Sequence, residues 1–288
     1  MKQLIKKMSH GRLEPLFYFV YKIFVEIEYV FLSIKWWLQG YRKPKQEEIR
    51  LVVKNVTFIF KSFERQHMAK RLYKKIQSYY PGVKVIIADD SSQPLQLKGK
   101  SLTVIQLPFN SGLSYGLNKA LELVTTPFVM RMDDDELLTP LTRIGNELKF
   151  LMNHSEIDLV GFGVVSTPKC ESPQKSAHLY YRQPMFEAPQ PLKIPHMTPI
   201  DKNHIVVGKS PNIFLVRTHK LKEIGWDDQI RMIDHNEFFM RAAGHIVSVM
   251  NPNTVVFHYH NPFDSHYQKF RADVQGDRIY IMKKYSRY

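Results

Sequence analysis

The chain has 288 residues, 44% of them hydrophobic and 24% charged, which is ordinary globular composition without fixed-period repeats or low-complexity tracts. A net charge of +14 points to an anionic partner such as nucleic acid, acidic lipid or a phosphorylated substrate. The basic residues are not gathered into one block, so no nucleic-acid-binding arm is seen, and a single cysteine, Cys170, excludes an intrachain disulfide and a cysteine-based zinc site.

Residues 13–39 are rich in aromatic and aliphatic side chains but are interrupted by Glu14, Lys22, Glu26, Glu28 and Lys35. A spanning helix needs about 20 mostly uncharged residues, so a membrane span is not expected. No small-residue cleavage site follows, which argues against a signal peptide. Lys2, Lys6, Lys7 and Arg12 precede the segment, Arg42, Lys43 and Lys45 follow it, and Trp36 and Trp37 lie near its end. Residues 1–48 therefore read as an amphipathic helical segment lying in a membrane interface, with a helix packed on the following domain as the alternative. The expected location is peripheral, on the cytoplasmic face of a membrane, or soluble in the cytoplasm.

From residue 51 short apolar runs alternate with helical periods. LVVKNVTFIF is strand-like; Met68, Leu72, Ile76 and Tyr79 recur at helical spacing until Pro81-Gly82; VKVIIAD reads as a buried strand ending in Asp89-Asp90. SLTVIQLP is a third strand, and Ser114 could cap a helix carrying Leu117, Leu121 and Val124. PFVMRM is a fourth strand running into Asp133-Asp134-Asp135-Glu136, and a helix with Leu141, Ile144, Leu148 and Leu151 follows. DLVGFGVV, NIFLV and SVMNPNTVVFHYH complete the strands, with a helix around Glu237 to Ala243. Residues 168–204 hold seven prolines and no clean period, which suggests an insertion or lid. The pattern predicts an α/β domain over 49–288 with a mostly parallel central sheet. Ligands bind such sheets beyond the carboxyl ends of the strands, so Lys61-Ser62, Asp89-Asp90 and Asp133 to Glu136 should converge on one edge.

Three adjacent carboxylates at Asp133, Asp134 and Asp135 repel one another, and a divalent cation would neutralise them. Mg²⁺ or Mn²⁺ commonly divides its coordination between a few carboxylates and substrate phosphates, and it offsets charge building on a diphosphate leaving group. A solvated acidic turn is the alternative. Asp89 or Asp90 could accept from a nucleobase or ribose, or simply cap a turn. In the segment Trp226 to Phe239, Asp234, His235 and Glu237 are candidate general bases for a hydroxyl nucleophile, and Trp226 could stack on a sugar ring; a helix N-terminus explains the acidic residues equally well. His258 and His260 share one strand face, and one of them could complete a metal site.

Three segments together resemble the glycosyltransferases of GT-A fold and family 2 type, most of all the β-1,4-N-acetylgalactosaminyltransferase-like group. They are VTFIFKSFERQHMAKRLYKKIQSYYPGVKVIIADDS, LPFNSGLSYGLNKALELVTTPFVMRMDDDELLT and WDDQIRMIDHNEFFMRAAG, spanning about residues 55–245. The resemblance implies a nucleotide-binding α/β fold, a UDP-sugar donor, Mn²⁺ or Mg²⁺ as cofactor and a carbohydrate or glycolipid acceptor. It assigns Asp133 and Asp135 to the D-x-D motif, with Asp135 on the metal and Asp133 on ribose or a metal-bound water. Asp89 or Asp90 falls where the family contacts uracil, Lys61 and Ser62 beside the nucleotide, and His258 or His260 at a C-terminal metal-binding histidine. Many relatives carry Glu-Asp where this chain has Asp234-His235, so the base stays open among Asp234, His235 and Glu237. A carboxylate base implies one displacement with inversion. Two rivals remain: a sugar nucleotidyltransferase, disfavoured because KSFERQHM lacks the glycines of a triphosphate loop, and a non-catalytic basic membrane-binding protein.

Overall fold

The computed structural model describes residues 13–167, 190–259, 265–271 and 274–285. The apolar runs of the first half become parallel strands, most of them buried inside the sheet as continuous Val/Ile/Phe sequences favour, with the third forming its partly exposed edge. These are β1 (Val56–Ser62), β2 (Lys84–Asp89), β3 (Leu102–Gln106) and β4 (Phe128–Arg131), with β1 pairing in parallel to β2 and β4, and β2 to β3. Alternate side chains feed two cores. Phe58, Phe60, Val85 and Ile87 enter the core on one side of the sheet; Ile59, Ile86 and Ala88 enter the other.

The second half enters the same sheet in both directions. β5 (Glu136–Leu138), β6 (Leu159–Thr167), β7 (Ile205–Val206), β8 (Phe214–Arg217) and β9 (Ser248–Tyr259) extend it to the order β3-β2-β1-β4-β8-β6-β9-β5, with β7 on β9. β8 runs antiparallel to β4 and β6, β6 runs parallel to β9, and β5 and β7 run antiparallel to β9.

The helices are α1 (Glu14–Leu38), α2 (Gln46–Asn55), α3 (Gln66–Tyr79), α4 (Leu113–Glu122), α5 (Ile144–Asn153), α6 (Thr218–Ile224), α7 (Asp234–Ala242), α8 (Ser265–Arg271) and α9 (Gln275–Tyr285). α3 buries Met68, Ala69, Leu72, Ile76 and Tyr79, the expected stripe, and stops at Pro81-Gly82, where Gly82 adopts φ 85°.

Several local expectations shift. Residues 51–55, read as strand, finish α2, whose first turn carries Glu47 and Glu48 and whose Val52 is fully buried. α2 also straddles the boundary placed at residue 48. Ser114 is not a cap: Gly112, at φ 103°, precedes α4, and Ser114 lies inside the helix, buried. A left-handed residue is needed there, and a Cβ at Gly112 would also crowd Arg231. The acidic run continues into β5, an unforeseen strand that pairs with β9. Most of the proline-rich insertion, residues 168–189, lies outside the described residues, as does His260.

Candidate active site

Parallel strands share one direction, so Ser62, Asp89 and the segment after Arg131 reach the same edge of the sheet. A cavity of about 360 Å³ opens there. It is lined by Lys61, Asp133, Asp134 and Asp135 at the strand ends, by Arg231 to Asn236, and by Tyr267 and Phe270 of α8. The rings of Phe63, Phe109 and Phe270 pack at 5.1–5.8 Å and form an aromatic rim.

The acidic triplet turns inward. Arg65 forms ion pairs with Asp134 and, at 3.1 Å, with the Asp135 Oδ2, while its guanidinium stacks 3.9 Å from the Tyr267 ring centre. Arg131, fully buried in β4, pairs at 2.9 Å with Asp133 and donates to the Asn212 carbonyl. Burial pushes Asp134 up to about 7, with Asp135 and Asp133 reinforcing the shift and Arg65 opposing it. Burial, with Asp133 beside it, also raises Glu136 well above the ordinary carboxylate range, and the Glu136 Oε2 accepts the Asp133 N–H at 2.7 Å.

The β5–β9 register sets Glu136 opposite His258 and brings the His258 Nε2 to 3.7 Å from the Asp135 Oδ1. The other ring nitrogen of His258 hydrogen-bonds the Ser166 hydroxyl at 3.2 Å, so Nε2 is the atom aimed at Asp135. Burial opposes protonation of His258, but Asp135 and Asp133 outweigh it and raise its pKa. Among the described residues no group of three or more His, Cys, Asp or Glu side chains is arranged to hold a metal ion. Asp135 and His258 provide one oxygen and one nitrogen donor, a set suited to Mn²⁺ or Mg²⁺ when phosphate oxygens and water supply the remaining ligands.

The three base candidates separate by where α7 points them. Asp234 opens α7, lines the cavity and is 2% exposed, and its Oδ2 has no hydrogen-bond partner among the described residues. Burial raises it to about 6, with Asp133 adding to the effect and Arg131 opposing it. His235 also lines the cavity, but its Nε2 donates to the Ser210 carbonyl at 2.5 Å, and burial lowers its pKa to about 4, which keeps the ring neutral. Glu237 does not line the cavity. It is 1% exposed, and its Oε1 accepts from Arg241 at 2.6 Å, Lys284 at 2.7 Å and the Tyr285 hydroxyl at 2.9 Å, so it clamps α9 to α7.

Three further candidates, Trp226, Asp89 and Ser62, also sit away from the cavity. Trp226 is 5% exposed and stacks on Phe238 with ring centres 5.5 Å apart; it packs in the core rather than facing a sugar. Asp89 is fully buried and accepts from Ser91 and from the Leu95 N–H, each at 2.7 Å, which makes it a turn-capping residue. Asp90 sits beside the cavity: its Oδ1 meets the Lys61 ammonium at 2.5 Å and its Oδ2 accepts the Gly112 N–H at 3.2 Å. Burial raises Asp90, opposed by Lys61, and burial lowers Lys61, opposed by Asp90. Ser62 is fully buried; its carbonyl accepts the Asp90 N–H at 3.3 Å. Gly116 leaves room for the Lys61 stem, which a Cβ would meet at 2.9 Å.

Residues that periodicity does not reveal complete the site: Arg65, Arg131, Asn110, Asn212, Arg231, Tyr267 and Phe270. Only Arg131 left a trace, as an arginine inside an otherwise apolar strand. Asp277 of α9 is a further one. Its buried carboxylate accepts the backbone N–H groups of Arg231, Met232 and Ile233 at 2.7–3.1 Å, and so holds the loop that delivers Asp234.

The architecture matches solved structures at low identity. S. aureus TarS residues 1–349 superimpose with a TM-score of 0.54 at 17% identity, covering 71% of this chain and 60% of that one. The same fragment in complex with UDP-GlcNAc gives 0.52 at 18% identity, covering 72% of this chain and 59% of that one. The Pyrobaculum calidifontis mannosyltransferase PcManGT, in complex with GDP-Man and Mn²⁺, gives 0.50 at 16% identity, covering 91% and 73%. The fold is that of the GT-A glycosyltransferases. The family model described as glycosyl transferase family 2 matches residues 57–225, and the chain belongs to that family. It is 30% identical over 208 residues to the mouse β-1,4 N-acetylgalactosaminyltransferase 2, covering 70% of this chain and 39% of that protein. It is 31% identical over 199 residues to the human β-1,4 N-acetylgalactosaminyltransferase 1, covering 66% and 36%. The chain thus spans under two fifths of the length of these relatives.

Proposed function

We propose that the chain transfers a hexose or N-acetylhexosamine from a UDP-sugar to a hydroxyl of a glycan acceptor, in the synthesis of a surface polysaccharide or glycoconjugate. The observation that carries this reading is the meeting, in one cavity, of the Asp133–Asp135 cluster with Asp234, a buried carboxylate whose Oδ2 has no partner among the described residues. The names of the curated relatives and the UDP-GlcNAc complex of TarS favour an N-acetylhexosamine.

Lys61 and Arg231 bring positive charge to the cavity and attract the diphosphate. Asp135 and His258 would hold a divalent cation, which when bound neutralises charge on the departing nucleotide. Arg65 and Arg131 keep the acidic triplet in place and limit its mutual repulsion. Asp234 takes the proton of the acceptor hydroxyl as the oxygen attacks the anomeric carbon from the face opposite the leaving group, which inverts that centre. With a pKa of about 6 it is ionised at neutral pH yet basic enough to accept a proton. His235, neutral and tied to Ser210, fixes the first turn of α7 instead of acting as the base.

Calorimetry with UDP and Mn²⁺ on the wild type and on Asp135→Ala, joined to a screen of UDP-sugars for metal-dependent turnover, tests the reading. Binding that needs Mn²⁺ in the wild type and is lost in Asp135→Ala is expected; equal UDP affinity in both proteins, with or without metal, refutes the assignment.

A further inference from the structure

The outer face of α1 is continuous and, among the described residues, left uncovered. The inner face is seated on the domain: Val25 and Trp36 are buried, the Tyr29 ring meets Phe257 edge-on at 4.7 Å, and the Tyr29 hydroxyl donates to the Leu138 carbonyl at 3.1 Å. The opposite face carries Phe19, Phe24, Ile27, Phe31, Ile34 and Trp37, each between 52% and 64% exposed. At about 100° per residue these fall on one half of the helix circumference, a stripe along ~27 Å of helix at 1.5 Å per residue. An apolar surface of this extent marks an interaction site.

Charge selects the occupant. Glu14, Glu26 and Glu28 are all half-buried, and Glu26 pairs with Arg71 at 2.7 Å. The exposed ionisable side chains of α1 are Lys22 and Lys35, both cationic, and the exposed Arg42 and Lys43 follow the helix, with the Arg42 guanidinium 4.7 Å from the Trp37 ring centre. No described helix is long and apolar enough to cross a membrane. An apolar stripe bordered by exposed cations, on a helix held flat against its domain, matches the boundary between acyl chains and anionic headgroups.

We propose that α1 docks the protein flat on an anionic bilayer. The consequence for the cavity is geometric: Tyr259 packs in the cluster that includes Val25 of α1, while the adjacent residue, His258, lines the cavity. The bilayer therefore lies on the β9 side of the site. This inference goes beyond the transfer reaction and does not rest on it.

The test is flotation of the full chain with vesicles of phosphatidylcholine alone or of phosphatidylcholine with phosphatidylglycerol. The comparison uses wild type, the triple variant Phe24→Glu/Ile27→Glu/Phe31→Glu and the double variant Lys22→Glu/Lys35→Glu, with sedimentation velocity run in parallel. The wild type is expected to float with the anionic vesicles, the triple variant to lose partition by at least about tenfold, and the double variant to lose the preference for anionic lipid. All substituted side chains are outward-facing, so melting temperatures and UDP binding should match the wild type. Undiminished flotation of the triple variant overturns the proposal. So does a wild type that ignores both vesicle types and forms a dimer which the triple variant converts to monomer, because the face then belongs to a second copy. UDP binding is read separately, so failure of docking and failure of the transfer reading are distinguishable.

Discussion

Replacing Asp234 with asparagine separates chemistry from stability. The substitution keeps the shape of the side chain and removes its ability to take a proton. A positioned general base contributes about 10²–10⁴ in rate, so kcat should fall by that factor, equivalent to about 3–5 kcal/mol of barrier at ~1.4 kcal/mol per tenfold. The effect on folding runs the other way. Moving a carboxyl from 3.8 to about 6 penalises its charged form by about 3 kcal/mol at ~1.4 kcal/mol per pH unit. Because the folded pKa is the higher one, this group's stability contribution is fully present below about pH 4 and is lost as pH rises through about 6. The amide carries no such charge, so the variant should melt no lower than the wild type at pH 7, provided Arg131 keeps its contact with Asp133. The assay is UDP release with the donor identified by the screen, run across pH beside thermal melting and UDP calorimetry. Wild-type turnover should fall as pH drops through about 6, and Asp234→Asn should lack that limb while binding UDP normally. Glu237→Gln, with the same chemical change outside the cavity, should retain turnover within a few-fold. The reasoning is refuted if Asp234→Asn turns over within tenfold of the wild type, or if Glu237→Gln abolishes turnover without unfolding.

Asp277→Ala removes the acceptor for three consecutive N–H groups ahead of Asp234; it should lower kcat more than UDP affinity and cost about 1.5–3 kcal/mol of stability, and Asp277→Asn should restore part of both. Unchanged turnover with a lowered melting point would restrict Asp277 to a structural role. Trp226→Ala should cost about 3–5 kcal/mol, read by denaturant or thermal unfolding, because it empties a core site against Phe238. Trp226→Phe should leave the acceptor KM unaltered, and a raised KM in a stable Trp226→Phe protein contradicts the core placement.

The elements legible along the chain are those whose signal is local. Continuous apolar runs marked β2 and β4, spacing of three and four residues marked α3, and the direction shared by parallel strands brought Lys61, Asp90 and the acidic triplet to one edge. Family resemblance named Asp133 and Asp135, and the cavity contains both. The boundary of α2 was misread because Leu51, Val52 and Val53 suit a helix or a strand, and the packing of Val52 decided between them.

Spacing could not say which of Asp234, His235 and Glu237 faces the cavity. They lie within one turn, and the choice depends on what packs around α7: α9 takes Glu237, the Ser210 carbonyl takes His235, and Asp234 is left facing the cavity. Nor could it pair Arg65 with Asp134 and Asp135, Arg131 with Asp133, or His258 with Asp135. Those partners meet through strand pairing and loop closure, and an ion pair leaves no periodic mark in the chain. Composition and local pattern therefore specify the sheet edge where charge collects, whereas the pairing of that charge with arginines and the placement of Asp234 on the cavity arise from contacts between residues far apart in sequence.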